Sequence, residues 1–254
     1  MKKTLLAATS MVAVVTLLSA CGGGGGSSGT TPGTPTGGTS TQTDTATGIV
    51  ATDASRTISL TVGKQATINR TDKDLKYTER FQVTVTDTNG LPIKGASIST
   101  RVEMSGYSKG YVVWLDDKGS PTGDPSAVKS VLWQVTARCP NEDKNLNNIL
   151  DPGEDVNGNG MLDPRIAEVA SSIEGGTTIT NENGVAFVLA SYDIGAATWV
   201  DYNMYVTTTG TQGATEVTAK VARGTGYLVG DEKNASSAFL RSPYGVNSSC
   251  TVAG

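Results

Sequence analysis

Apolar and polar residues alternate with a period of two along much of this chain. The pattern runs through Ile58, Leu60 and Val62, through Phe81, Val83 and Val85, through Val185, Phe187 and Leu189, and through Met204 and Val206, each run bounded by Gly, Asn or Asp. A period of two sends successive side chains to opposite faces of a strand, so these runs predict strands with an apolar inner face and a wet outer one. Helical periodicity with caps is scarce, and a short helix is expected only over Arg165 to Ile173. Many short strands separated by turn residues predict an all-β fold, an antiparallel β-sandwich.

The start of the chain departs from this pattern. Lys2 and Lys3 precede an apolar stretch, Thr4 to Leu17, of secretory-signal length and too short to span a membrane as a helix. Leu18, Ser19 and Ala20 lead into Cys21, and this run resembles the lipobox of bacterial lipoproteins. The resemblance implies cleavage after residue 20 and lipid modification of Cys21; a secreted protein with an incidental cysteine is the alternative. Several acyl chains hold a protein to a membrane where one gives only marginal binding, since each buried methylene contributes about 0.8 kcal/mol. Gly22 to Gly48 is almost wholly Gly, Ser, Thr and Pro, which cannot build a core, so a disordered linker is expected over 21–48 with a typical reach of about 30 Å. Gly22 stands where similar lipoproteins retained in the inner membrane carry Asp, which implies the outer membrane, facing periplasm or cell surface.

From Ile49 onward about 206 residues remain, enough for one large domain. A sandwich is expected over 49–230, with an insertion at 139–168 and a C-terminal tail at 231–254. Phe81 to Val102 reads as strand, Asp-Thr-Asn-Gly turn, Pro, Gly-Ala step and second strand, and Thr180 to Ala190 as another Asn-Gly turn feeding a strand. In this order the two segments resemble the bacterial immunoglobulin-like domain of invasin and intimin stalks, over roughly Ile58 to Val221. The resemblance implies an Ig-like antiparallel sandwich. Tandem arrays behind a β-barrel are usual in that family, whereas this chain has one copy behind a lipid anchor, so an adhesion role is not inherited with the fold.

The insertion carries the most distinctive chemistry. Asp143, Asn145, Asn147, Asp151 and Glu154 place side-chain oxygens at positions 1, 3, 5, 9 and 12, with Ile149 at position 7, the register of a calcium loop whose seventh ligand is a backbone carbonyl. Asp155, Asn157, Asn159, Met161 and Asp163 repeat the pattern twelve residues later, with Gly160 at the sharp-turn position and Ile166 where the closing carboxylate belongs. The first loop has the opposite defect, Asn148 in place of Gly. Hard oxygen donors without imidazole or thiolate select a hard cation, so calcium is the expected cofactor. Glu154 adjoins Asp155, leaving no room for a helix between loops, and the pair resembles the Asp/Asn calcium repeats of dockerins and thrombospondin type 3 modules. A solvated Asn/Gly/Asp turn cluster without an ion is the alternative.

Cysteine count, charge and histidine narrow the function. With Cys21 spent on lipid, Cys139 and Cys250 remain as a pair for an oxidising compartment, and a disulfide closing about 110 residues is expected, worth about 4–5 kcal/mol in the chain-entropy model; two separate buried thiols are the alternative. Loss of Lys2 and Lys3 with the signal leaves 18 Lys and Arg against 24 Asp and Glu, a net charge of −6, which argues against nucleic acid as a partner. The chain has no histidine, which removes Ser-His-Asp and Cys-His catalysis and His-ligated zinc. No catalytic residue is expected and the chain reads as a non-enzyme. Three functions remain: a lipoprotein whose domain binds another protein or an extracellular matrix component, a structural subunit or secretion accessory of an envelope assembly, and a carbohydrate-binding module built on Trp114 and Trp133 near Asp116, Asp117 and Asp124.

Overall fold

A computed structural model describes residues 45–47, 58–71, 73–165, 168–209 and 216–254. Cys21, the signal segment and most of the expected linker lie outside the described residues. Among the described residues nine strands form two antiparallel sheets that face each other as an Ig-like sandwich. One sheet is ordered β1 (Thr45–Thr47), β2 (Ile58–Thr71), β3 (Lys76–Asp87), β7 (Val185–Asp193), β6 (Val169–Ile173); the other is β5 (Ser130–Pro140), β4 (Ser97–Leu115), β8 (Val200–Thr209), β9 (Val217–Gly224). Thr45 pairs with Gly63, so the last residues of the stretch expected as linker are taken into the sheet. Among the described residues no helix is long and apolar enough to cross a membrane.

The alternation anticipated in β2, β3 and β8 is realised. Leu60, Val62, Phe81, Val83, Val85, Met204 and Val206 are fully buried. In β7 the phase is reversed: Ala186, Val188, Ala190 and Tyr192 point inward, while Val185, Phe187 and Leu189 lie half-buried on the outer face. Val185 to Ala190 is apolar throughout, so periodicity cannot choose a face, and packing volume does. The register sets Ala186 beside Val83, Val188 beside Phe81 and Ala190 beside Glu79, with Tyr192 beside Tyr77. Phe187, sent outward, is covered by the Arg80 guanidinium 3.3 Å from its ring centroid, and Arg80 in turn donates to Glu174 and Gln65.

Within the span expected as a short helix, Arg165 to Ile173, the described residues Val169–Ile173 are instead strand β6, paired with β7 from Val169↔Tyr192 to Ile173↔Val188. An open sheet edge offers this segment a complete set of ladder hydrogen bonds, and Ser171, Ser172 and Ile173 resist it weakly as helix formers.

The two Asn-Gly turns lock together. Asp87 Oδ1 accepts from Asn89 N and Leu91 N, and Asn181 Oδ1 accepts from Asn183 N and Val185 N. Val85 N donates to Gly184 O at 2.8 Å, and buried Thr180 donates its hydroxyl to Ile93 O while accepting from Ala96 N. The motifs that define the strand pattern therefore meet as one contact at one end of the sandwich.

Strand β4 changes partners halfway, pairing with β8 from Ser97 to Tyr107 and with β5 from Gly106 to Leu115. The switch needs glycine: a Cβ on Gly106 would lie 2.7 Å from Cys139 O, and Gly110 sits at φ +149° against Gln134 O. Residues beyond β9 fold back over this hairpin. Trp133 stacks with Phe239 and meets Trp199 and Tyr227 with centroids 5.2–6.1 Å apart, and Trp199 Nε1 donates to Phe239 O at 2.7 Å. The Cys139–Cys250 disulfide, with Cα atoms 5.5 Å apart, fixes the tail to the end of β5, as expected.

Candidate metal centre

The insertion leaves β5 at Pro140 and rejoins the sandwich at Val169. Its two loops have the same local architecture. In the first, Asp143 accepts from Asn147 N and Asn148 N through its two oxygens, Asn145 Oδ1 accepts from Asn147 N, and Asn147 Oδ1 from Ile149 N. In the second, Asp155 accepts from Asn159 N and Gly160 N, Asn157 Oδ1 from Asn159 N, and Asn159 Oδ1 from Met161 N. These are side-chain turns that Asp and Asn make with the backbone two to five residues on. Positions 4 and 6 are left-handed in both loops: Leu146 and Asn148 at φ 59° and 61°, Gly158 and Gly160 at 74° and 78°. Asn148 thus adopts the conformation for which Gly is preferred, at the low cost characteristic of Asn.

The ninth position is also repeated. Asp151 Oδ2 accepts from the carboxamides of Asn145 and Asn147 at 2.8 and 2.9 Å, and Asp163 Oδ2 accepts from those of Asn157 and Asn159 at 2.8 Å each. The two carboxamide donors hold the Asp151 carboxyl below its ordinary pKa. Ile149 and Met161 at position 7 are 61% and 44% exposed, so only their backbone carbonyls are available to the loop. Glu154 closes the first loop by accepting from Lys144 N and Asp151 N.

One participant was not anticipated. Glu142, 2% exposed, accepts from Asn157 N through Oε1 and from Asp163 N through Oε2, and its own N–H donates to Asp163 O at 2.9 Å. Burial raises its carboxyl pKa, opposed by the backbone donors and reinforced by Asp163. A signal was present in the sequence: Glu142-Asp143 and Glu154-Asp155 are the same doublet, twelve residues apart. The insertion is tied to the sandwich at the same place. Asn141 Nδ2 donates to Met104 O, and the buried Tyr107 hydroxyl lies 3.5 Å from both Glu142 Oε1 and Asn157 Nδ2. Burial is the first cause of the Tyr107 hydroxyl being pushed up to about 12.

The donor set suits a hard cation. Each loop offers carboxylates, two carboxamide oxygens and one backbone carbonyl, and each carboxamide oxygen spends one of two lone pairs on a backbone N–H. Among the described residues no three acidic groups gather closely enough to hold an ion alone, so either loop would depend on its asparagines. Charge points the same way: Glu142, Asp143, Glu154 and Asp163 are no more than 6% exposed, yet no Lys or Arg among the described residues forms a salt bridge with any acid of the two loops. Lys144 donates to Gly153 O, and Arg165 lies 3.5 Å from Glu168. Buried carboxylates ordinarily have a cationic partner or a metal.

The acids considered near the tryptophans are used by turns. Asp116 Oδ1 caps a hairpin turn by accepting from Lys118 N and Ser120 N, and Asp124 accepts from the backbone and hydroxyl of Ser126. Trp114 donates to Glu232 O, and Trp133 is enclosed by the tail aromatics.

The molecule is thus an all-β, Ig-like sandwich bearing a double Asp/Asn loop. No family model and no curated protein matches the chain. A solved structure described as the yeast GGA1_GAE domain-P21 is similar over 68% of this chain and 96% of that one, at 5% identity and a TM-score of 0.21, too remote to bear on fold or function.

Proposed function

We propose that this chain is a non-enzymatic, lipid-anchored envelope protein that presents a calcium-stabilised Ig-like domain to a protein or matrix partner. The observation that carries the proposal is the insertion: two loops of identical hydrogen bonding, rich in buried carboxylates and lacking a basic counter-charge. Asp143, Asn145, Asn147, Ile149, Asp151 and Glu154 hold one calcium ion, and Asp155, Asn157, Asn159, Met161 and Asp163 line the second loop. Calcium acts here as a structural ion. It fixes a segment in which Leu146, Ile149, Leu150, Val156 and Met161 are exposed and Leu162 is half-buried, so that they supply little core. Cys21 and the lipobox-like residues before it support anchoring through acyl chains at the outer membrane, and the disulfide suits an oxidising compartment.

The test is chemical cross-linking on intact cells carrying the full chain, read by mass spectrometry in calcium and in chelator. The expected outcome is an acylated Cys21 together with a cross-linked partner that is lost in chelator and in Asp143→Ala. An unmodified thiol at Cys21, or a cross-linking pattern indifferent to calcium, overturns the reading.

A further inference from the structure

We infer that two copies of this chain associate through strand β5, pairing antiparallel about a two-fold axis at Leu132 and joining their four-stranded sheets into one of eight. Beyond Gly110, β4 and β5 run as a two-stranded ribbon whose faces differ. Val112, Trp133 and Val135 pack against the core and the tail aromatics. Tyr111, Val113, Leu115 and Leu132 point the other way, and Tyr111 and Leu132 are 42% and 46% exposed. Val113 stands directly opposite Leu132 in the ladder, so these residues form one apolar surface. Strand β5 is also the outermost of its sheet. Among the described residues no backbone group outside β4 bonds to Val131–Val135, and the tail takes over at Thr136, whose hydroxyl donates to Asn247 O. Open strand edges are normally guarded by charge, proline or shortness. The edge strands β1 and β6 are three and five residues long and β9 carries Lys220 and Arg223, but Ser130 to Ala137 contains no charge, proline or glycine.

Charge complementarity selects a second copy as the occupant. The tip of the ribbon carries Asp116, Asp117 and Asp124 against Lys118, whereas Ser126 to Pro140 has Lys129 and Arg138 and no acid, so an antiparallel arrangement brings opposite charges together at each end. With the axis at Leu132, the row Val113–Leu132 continues into Leu132 and Val113 of the other copy. Arg138 and Ser126 stand equally far from the axis and so fall opposite each other, and Ser126 donates its N–H and its hydroxyl to Asp124 Oδ1. Arg138 faces Asp201 but forms no salt bridge among the described residues, and Asp124 has its other oxygen to offer. Each dimer thus gains two Arg138–Asp124 contacts, one at either end of the ladder. Lys129 falls opposite Val135, so no like charges meet, whereas a parallel pairing sets Lys129 against Lys129 and Arg138 against Arg138. The two-fold arrangement consumes the open edge of both copies and closes there, which excludes a fibre. A ladder this short buries less than the roughly 800 Å² per partner of a stable interface, so the dimer is weak, with a dissociation constant of about 10⁻⁵ to 10⁻⁴ M.

The test is sedimentation velocity of the full chain carrying Cys21→Ser, which removes acyl chains and an unpaired thiol as other routes to association, from about 1 to 500 µM. A reversible monomer–dimer equilibrium is expected. Leu132→Lys should leave the chain monomeric, and Arg138→Glu and Asp124→Arg should each weaken the dimer by about 10-fold or more. An equimolar mixture of the last two should restore it, because in the mixed dimer both end contacts are again between opposite charges. Residues 124, 132 and 138 are all exposed, so these changes spare the core, and a far-ultraviolet spectrum matching wild type confirms the fold. A monomer over the whole range, which leaves the edge to a different protein, overturns the inference, as do a dimer indifferent to Leu132→Lys, a mixture that stays dissociated, and growth beyond the dimer. Should a variant not fold, deuterium exchange of the Cys21→Ser chain decides: protection of the Val131–Val135 amides that rises with protein concentration supports the pairing, and protection independent of concentration overturns it.

Discussion

Taking calcium away from the full chain is expected to lower its melting temperature by about 6–20 °C. Loops of this carboxylate content in extracellular modules bind with dissociation constants of about 10⁻⁴ to 10⁻³ M. At about 10 mM calcium each site is then worth about 1.4–2.7 kcal/mol of folding free energy, and two sites about 3–5 kcal/mol. For a domain of this size each kcal/mol moves the midpoint by about 2–4 °C. The loops share the fate of the sandwich because Asn141 is bonded to Met104 O and the core residue Tyr107 reaches Glu142 and Asn157, so their loss is felt by the global transition. The measurement is a tryptophan-fluorescence melt in chelator and in calcium, with magnesium as the control, since magnesium demands a stricter octahedron. Asp143→Ala should remove about half of the calcium-dependent shift. Midpoints that coincide in chelator and in calcium refute the argument from donor geometry and uncompensated charge together.

Three further expectations concern the frame around the site. Reducing Cys139–Cys250, or replacing Cys250 by Ser, should destabilise the chain by about 4–5 kcal/mol in a urea melt, given a separation of 111 residues; a loss below about 1 kcal/mol would mean the tail stays docked without its link. Gly184→Ala should cost about 2–5 kcal/mol, because Gly184 is at φ +68° and a Cβ would press on Ile93 N and Pro92, whereas Gly90→Ala, with nothing within 4 Å, should cost only about 1–2 kcal/mol; equal losses would refute the interlocked-turn account. Burial raises the Asp201 carboxyl pKa, with Arg138 opposing, so the stability this group supports is present at low pH and lost as pH rises through its folded value. Asp201→Asn should therefore match wild type near pH 4 and gain on it towards pH 7 in paired urea melts; a gap that is constant or opens the other way refutes it.

Strand content was legible where one face of a strand is polar. Phe81, Val83 and Val85 are separated by Gln82 and Thr84, and all three are buried. In β7 the intervening residues are apolar too, so only the register against β3 reveals the inner face. Glu79 shows another limit. It occupies an inward position between Tyr77 and Phe81, fully buried, and is made tolerable by Lys64 at 3.1 Å and hydroxyl donation from Tyr192 and Tyr202, residues distant in sequence. The two loops were legible as a repeated turn because the spacing of their Asp and Asn residues is local. Glu142 showed only as the first member of a repeated Glu-Asp doublet, and its role was hidden because its partner Asp163 lies 21 residues further on.

The cross-link lies late in the chain, which bears on the proposed export. Cys250 follows the nine strands of the described residues, so its bond to Cys139 can form only after those strands have been synthesised. Until then this bond closes no ring in the polypeptide, which would leave it a simple line for the passage proposed above. On the export reading the bond would work as a buckle, one that cannot obstruct passage and that, once fastened on the far side, would make the passage hard to reverse.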